Sequence, residues 1–160
     1  MNGALAPRLV LVTRDSEYEG LLARHATRGQ AEAFVRRRGQ SLDGLDEDRA
    51  RVGAAVAEIR AALPRNWRIA AVRRPELDRF LFASEDVVVA VGQDGLVANV
   101  AKYLRDQPVI GVNADPARGA GILVPHTAAA AAAMLPLAAA GALRTEARTM
   151  IRAELDDGQT

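Results

Sequence analysis

The stretch EDVVVAVGQDGLVANVAKYLRDQPVIGVN, residues 85–113, decides the fold. Asp86 to Val91 is a short apolar run, mostly valine. It is too continuous for a strand with one wet face, and predicts a strand buried on both sides in a parallel sheet. The run stops at Gly92-Gln93-Asp94-Gly95. Next comes an amphipathic segment, with Leu96, Val97, Val100, Ala101 and Leu104 on one side and Asn99, Lys102 and Arg105 on the other. Asp106-Gln107-Pro108 breaks that helix, and Val109 to Val112 reads as a second buried strand. The unit is strand, turn, helix, strand, and its turn holds two glycines around a carboxylate.

Such a turn has chemical potential. In a parallel sheet, ligands bind at the carboxyl ends of strands. The first turn of the helix that follows offers unpaired N–H groups and a partial positive charge, which suit phosphate. Gly92 and Gly95 let the backbone approach a ligand without a Cβ in the way. A carboxylate repels phosphate, so Asp94 fits better opposite a substrate hydroxyl, as a general base or an orienting acceptor. The plainer reading is that Gly92 makes a turn and Asp94 caps the helix. The flanking buried strand and helix put the two readings on a level.

Strand-Gly92-Gln93-Asp94-Gly95-helix, followed by Pro108-Val109-Ile110-Gly111-Val112-Asn113, resembles the N-terminal domain of NAD kinases. That family carries Gly-Gly-Asp-Gly-Thr after a hydrophobic strand and a Gly-x-Asn after the next. Asn113-Ala114-Asp115-Pro116 and the early segment Gly20–His25 are similar to its mitochondrial and plant branch. The resemblance covers roughly residues 8–125, and the same core recurs in phosphofructokinases and diacylglycerol kinases. It implies ATP or polyphosphate as phosphoryl donor, Mg²⁺, and the 2′-hydroxyl of NAD as acceptor. By the same resemblance Asp94 is the catalytic carboxylate. Gly92, Gln93 and Gly95 line the triphosphate, and Asn113 lies at the nucleotide crevice. Apart from the resemblance, Asp115 stands in a loop at a strand's carboxyl end, where it is placed to meet a ribose or Mg²⁺; Asx-Pro turn chemistry explains it equally well. Two positions differ from the family: Gln93 stands for its second glycine, and Leu96 for its threonine. A non-catalytic nucleotide-binding module and a kinase for a sugar or lipid hydroxyl are the alternatives.

Composition narrows the rest. The 160 residues suffice for one α/β domain with a core, and 49% hydrophobic with 26% charged residues is ordinary for a globular protein. The net charge of +1 gives no bulk field for nucleic acid or an acidic membrane. The absence of cysteine removes disulfides, thiolate metal sites and cysteine nucleophiles, and fits a cytoplasmic protein. Nucleotide is the expected partner, with no nucleic acid and no membrane; the resemblance adds a homo-oligomer.

Outward from the central unit, Arg8–Thr13 reads as the first strand. Asp15 or Ser16 caps a helix, and Thr27 a second one. Arg36-Arg37-Arg38 before Gly39 reads as a solvated helix end rather than a phosphate patch. Gln40–Leu45 reads as a loop and Asp46–Leu63 as a helix. A strand is expected over Trp67–Val72, and a short helix over Glu76–Phe82 that buries Leu77, Phe80 and Leu81. Ala114–Gly121 is a loop, Ile122–Val124 a brief strand, and Thr127 caps an alanine-rich helix with a kink or restart at Pro136. His25 and His126 read as structural.

The expected fold is three-layer α/β, a mostly parallel sheet with helices on both faces, as in the first domain of NAD kinases and phosphofructokinases. Residues 1–143 form the nucleotide-binding domain. Residues 146–155 alternate as a strand, and 156–159 give a hairpin signal. The resemblance makes residues 144–160 the opening of a second, all-β domain that the chain lacks. The isolated chain is then expected to be inactive.

Overall fold

The computed structural model describes residues 6–151. Four parallel strands, β1 (Arg8–Thr13), β2 (Arg68–Arg73), β3 (Asp86–Val91) and β4 (Val109–Val112), lie in the order β2-β1-β3-β4. Five α-helices accompany them: α1 (Glu17–Arg24), α2 (Arg28–Arg36), α3 (Leu42–Ala61), α4 (Asp94–Ala101) and α5 (Ala128–Ala139). Every residue of β3 is buried, as its uninterrupted apolar run requires.

The sheet separates two cores. Leu9, Leu11, Val87, Val89, Val91, Ile110 and Val112 pack on one face against Ala55 and Ile59 of α3 and Ala128, Ala131 and Leu135 of α5. On the other face Val10, Val12, Val72, Val88 and Ala90 pack against Leu77 and against Leu96 and Val100 of α4. The alternation along each strand thus feeds two helical layers, and the three-layer α/β architecture is as expected. Leu21, Ala31, Val35 and Leu42 make a smaller cluster among α1, α2 and α3.

Register places one ion pair. Arg8 lies opposite Asp86 at the amino ends of β1 and β3. The Asp86 carboxylate accepts from Arg8 Nε at 2.7 Å, from Arg8 Nη2 at 2.6 Å and from the Ala83 N–H at 2.8 Å. It is the single buried charged residue among those described.

Several elements differ from expectation. α3 begins four residues early because the Ser41 hydroxyl accepts the Gly44 N–H at 3.0 Å; this cap draws Leu42 into the core. The helix expected over 76–82 is a 3₁₀ turn at Arg74–Glu76 followed by turns. Arg8 donates to the Leu81 carbonyl at 3.0 Å, and Leu81 is 86% exposed rather than buried. α5 runs through Pro136 to Ala139 without a restart. Residues 146–151 pair with no strand, so nothing fixes an extended ladder there, and residues 152–160 lie outside the described range.

The brief strand expected at Ile122–Val124 is also absent. Among the described residues, this part of the chain pairs with β4 only through an isolated parallel bridge between Val112 and His126. Asn113 donates to the His126 carbonyl at 2.9 Å, and His126 donates to the Gly111 carbonyl at 3.3 Å. Pro125 has no N–H to give. The N–H groups of residues 122–124 go elsewhere, to Asp94.

Candidate functional site

Two loops leave the carboxyl ends of β3 and β4 and face each other. Residues Gly92–Gly95 follow β3, and residues 113–121 follow β4. With the first half of α3 they enclose a cleft of about 440 Å³. Gly92, Gln93, Asp94, Gly95, Asn113 and Asp115 all line it, so the six candidate site residues are brought to one place. The cleft lies over β3 and β4. No residue of the loop between β1 and α1 lines it, although the strand order changes direction between β1 and β3.

Each residue of the turn is placed for a separable reason. The Gly92 N–H donates to the Val112 carbonyl at 2.9 Å, which ties the two loops at their roots. A Cβ on Gly92 would stand 3.3 Å from Leu96 Cδ2, so Gly92 makes room for a core leucine. Leu96 is buried under the sheet and does not line the cleft. Its role is therefore packing rather than contact with the cleft. Gln93 has ordinary extended backbone (φ −115°, ψ 166°), so a side chain there costs no strain. Gly95 is different: a Cβ would meet nothing within 4 Å, and the fold does not require a glycine there.

Helix capping sets α4 apart. α1, α2, α3 and α5 each have a serine or threonine hydroxyl accepting a first-turn N–H, from Ser16, Thr27, Ser41 and Thr127. α4 alone of the described α-helices has no side-chain cap, and its N-terminus is the one at the cleft. Asp94 stands at the first position of α4, where a carboxylate favours the helix dipole. It does not cap its own helix, as the plainer sequence reading expects.

The Asp94 carboxylate instead reaches across the cleft. Its Oδ1 accepts the N–H groups of Leu123 at 2.8 Å and Val124 at 3.1 Å, and its Oδ2 accepts that of Ile122 at 3.0 Å. These three bonds, those of Ile122 and Leu123 foremost, hold the carboxyl below the usual aspartate range against the opposing effect of desolvation. The group is a charged acceptor at neutral pH and a weak proton acceptor.

Asn113 is also engaged internally. Its Nδ2 donates to the Gly119 carbonyl at 2.8 Å, and its Oδ1 accepts the Asp115 N–H at 2.9 Å. The residue folds the 113–119 loop and presents that loop to the cleft. Asp115 is ion-paired with α3: its Oδ2 lies 3.1 Å from Arg51 Nε.

Asp48, Arg51 and Val52 of α3, Ala114, Gly119, Ala120 and Gly121 of the loop after β4, and Val124 complete the lining; sequence reasoning marks the 114–121 loop but does not find the α3 residues or Val124. Arg51 pairs with Asp48, with Asp115 and more loosely with Glu47, which raises its pKa further, the Asp48 hydrogen bond contributing most. The i,i+3 and i,i+4 spacing of these groups on α3 looks like any solvated helix face. Only the topology turns it toward the cleft.

The described lining carries three carboxylates, Asp48, Asp94 and Asp115, against one guanidinium, Arg51. A bare polyphosphate meets net repulsion here; one carrying a divalent cation does not. No group of three or more potential metal ligands converges among the described residues. No helix among the described residues is long and apolar enough to cross a membrane.

Fold and cleft define a layered α/β domain with a polar crevice beyond the carboxyl ends of two central strands. No family model matches the chain, and no curated protein does either.

Proposed function

We propose that this chain is the nucleotide-binding domain of a phosphotransferase that moves a phosphoryl group to an alcohol, in the manner of NAD kinases. The observation that carries the reading is the pairing at one cleft of an uncapped helix N-terminus and an aspartate. The open N–H groups of α4 suit the phosphates of ATP or polyphosphate. Gly95, which no packing demands, leaves space for their close approach. Mg²⁺ would arrive with the phosphates of the donor. Asp94 meets the acceptor hydroxyl, and positioning supplies most of the rate. The acceptor proposed first is the 2′-hydroxyl of NAD, which rests on the resemblance of residues 86–116 to NAD kinases. Assembly as a homo-oligomer and a cytoplasmic location belong to the same proposal.

The test is calorimetric binding of Mg·ATP, followed by an assay of phosphoryl transfer to NAD and to a panel of sugar and lipid-headgroup alcohols. Binding by the chain, and transfer by a protein containing it that Asp94→Asn abolishes without loss of ATP binding, is the expected result. Failure to bind Mg·ATP at millimolar concentration contradicts the proposal. A second reading, a nucleotide-binding module without catalysis, is favoured by the engagement of Asp94 with three backbone donors. It predicts ATP binding with no transfer to any acceptor.

A further inference from the structure

We infer that the segment Gly121–Val124 is a clamp that positions Asp94, and that Gly111 and Gly121 are the residues that allow it to close. Its place in catalysis rests on the phosphotransferase reading; the clamp itself does not.

The glycines show how closely the segment is fitted. A Cβ on Gly111 in β4 would run into the carbonyl of Leu123, and a Cβ on Gly121 would run into Val124 Cγ2 and stand 2.7 Å from Asp94 Oδ1. No positive φ is recorded at either, so the demand for glycine is one of space. The segment therefore lies directly on the end of β4, with three successive N–H groups turned to one carboxylate. Those N–H groups would otherwise serve a fifth strand. Ile122 is 73% exposed, so its own side chain does not hold it down; the hydrogen bond to Asp94 does, while Val124, 3% exposed, anchors the other end of the segment.

A carboxylate offers about four acceptor positions. The clamp fills two on Oδ1 and one on Oδ2, and one remains on Oδ2. Asp94 is left as a charged acceptor for a single hydroxyl. It orients an alcohol and stays ionised, rather than removing its proton early in the reaction. Asp48 and Arg51 of α3 and Asp115 of the 113–119 loop are the other charged groups on this cleft.

The experiment is a carbon-13 NMR titration of the Asp94 carboxyl in the chain and in Gly121→Ala. The clamp predicts a midpoint below the ordinary value of about 3.9 in the parent. It predicts return toward that value in the variant, a change that loss of packing alone does not produce. An ordinary midpoint in the parent, or one unmoved in a folded variant, overturns the inference. Should Gly121→Ala fail to fold, amide hydrogen exchange in Asp94→Ala decides. The Ile122, Leu123 and Val124 amides should exchange faster by about tenfold or more than in the parent. Equal rates overturn the clamp. Mg·ATP binding to the same proteins reports on the phosphotransferase reading separately, because the titration and exchange results do not depend on it.

Discussion

Two aspartates bracket β3, and their surroundings are opposites. Asp86 opens the strand with a side chain 0% exposed, enclosed by a guanidinium and one backbone N–H. Asp94 follows the strand, stands on a cleft, and is held by backbone donors alone. The first carboxylate is neutralised by a cation that register puts opposite it. The second keeps its charge with no cation in contact among the described residues, supported by dipoles. A cation in contact closes a site. Dipoles fixed by the chain hold a charge in place and leave it available to a ligand. This contrast is the physical reason to look for function at the carboxyl end of the sheet and for stability at the amino end.

The contrast breaks most visibly at Asp86. Asp86→Ala leaves Arg8 without its buried partner and should lower unfolding free energy by about 3 kcal/mol, read from urea denaturation. A loss of this size at Asp94→Ala, and none at Asp86→Ala, would reverse the assignment. Gly111→Ala forces the Leu123 carbonyl away from β4 and should cost about 1–3 kcal/mol in the same assay.

Acid sharpens the comparison at the other end. The pKa of Asp94 is lower folded than unfolded, so its contribution to stability is fully present above the unfolded value of about 3.9. It fades as the pH falls from there through the lower folded-state value. Denaturation midpoints between pH 5 and pH 2 should show this loss in the parent and a reduced loss in Asp94→Asn. The smallest effect is expected at Gly95. Gly95→Ala sits in helical backbone with open space around it and should stabilise the fold by about 0.4–1 kcal/mol, while weakening Mg·ATP binding. A variant both less stable and unchanged in binding would show that Gly95 serves the fold.

The parts legible in the sequence are those where local chemistry and tertiary context agree. The valine run of β3 admits little but a doubly buried strand, and Ser16, Thr27 and Thr127 sit just where their hydroxyls accept a first-turn N–H. Asp43-Gly44 reads as a turn and hides the cap at Ser41. Residues 122–124 have strand-like side chains, but a carboxylate 28 to 30 residues earlier takes their N–H groups. No local pattern reveals a partner at that distance. The turn Gly92–Gly95 and residues Asn113 and Asp115 are recognisable as parts of one site because they follow adjacent strands. Asp48 and Arg51 are invisible in the sequence because a long helix has many charged faces, and only the packed fold selects one.

The most direct test of the account follows backbone amide shifts in a nitrogen-15 NMR titration with Mg·ATP. The account predicts that amides of Gly92–Gly95 and of residues 113–124 move in a saturable way, while those of Arg8, Ala83 and Asp86 stay in place. Saturable shifts confined to the amino end of the sheet, or no saturable shift anywhere, would contradict it.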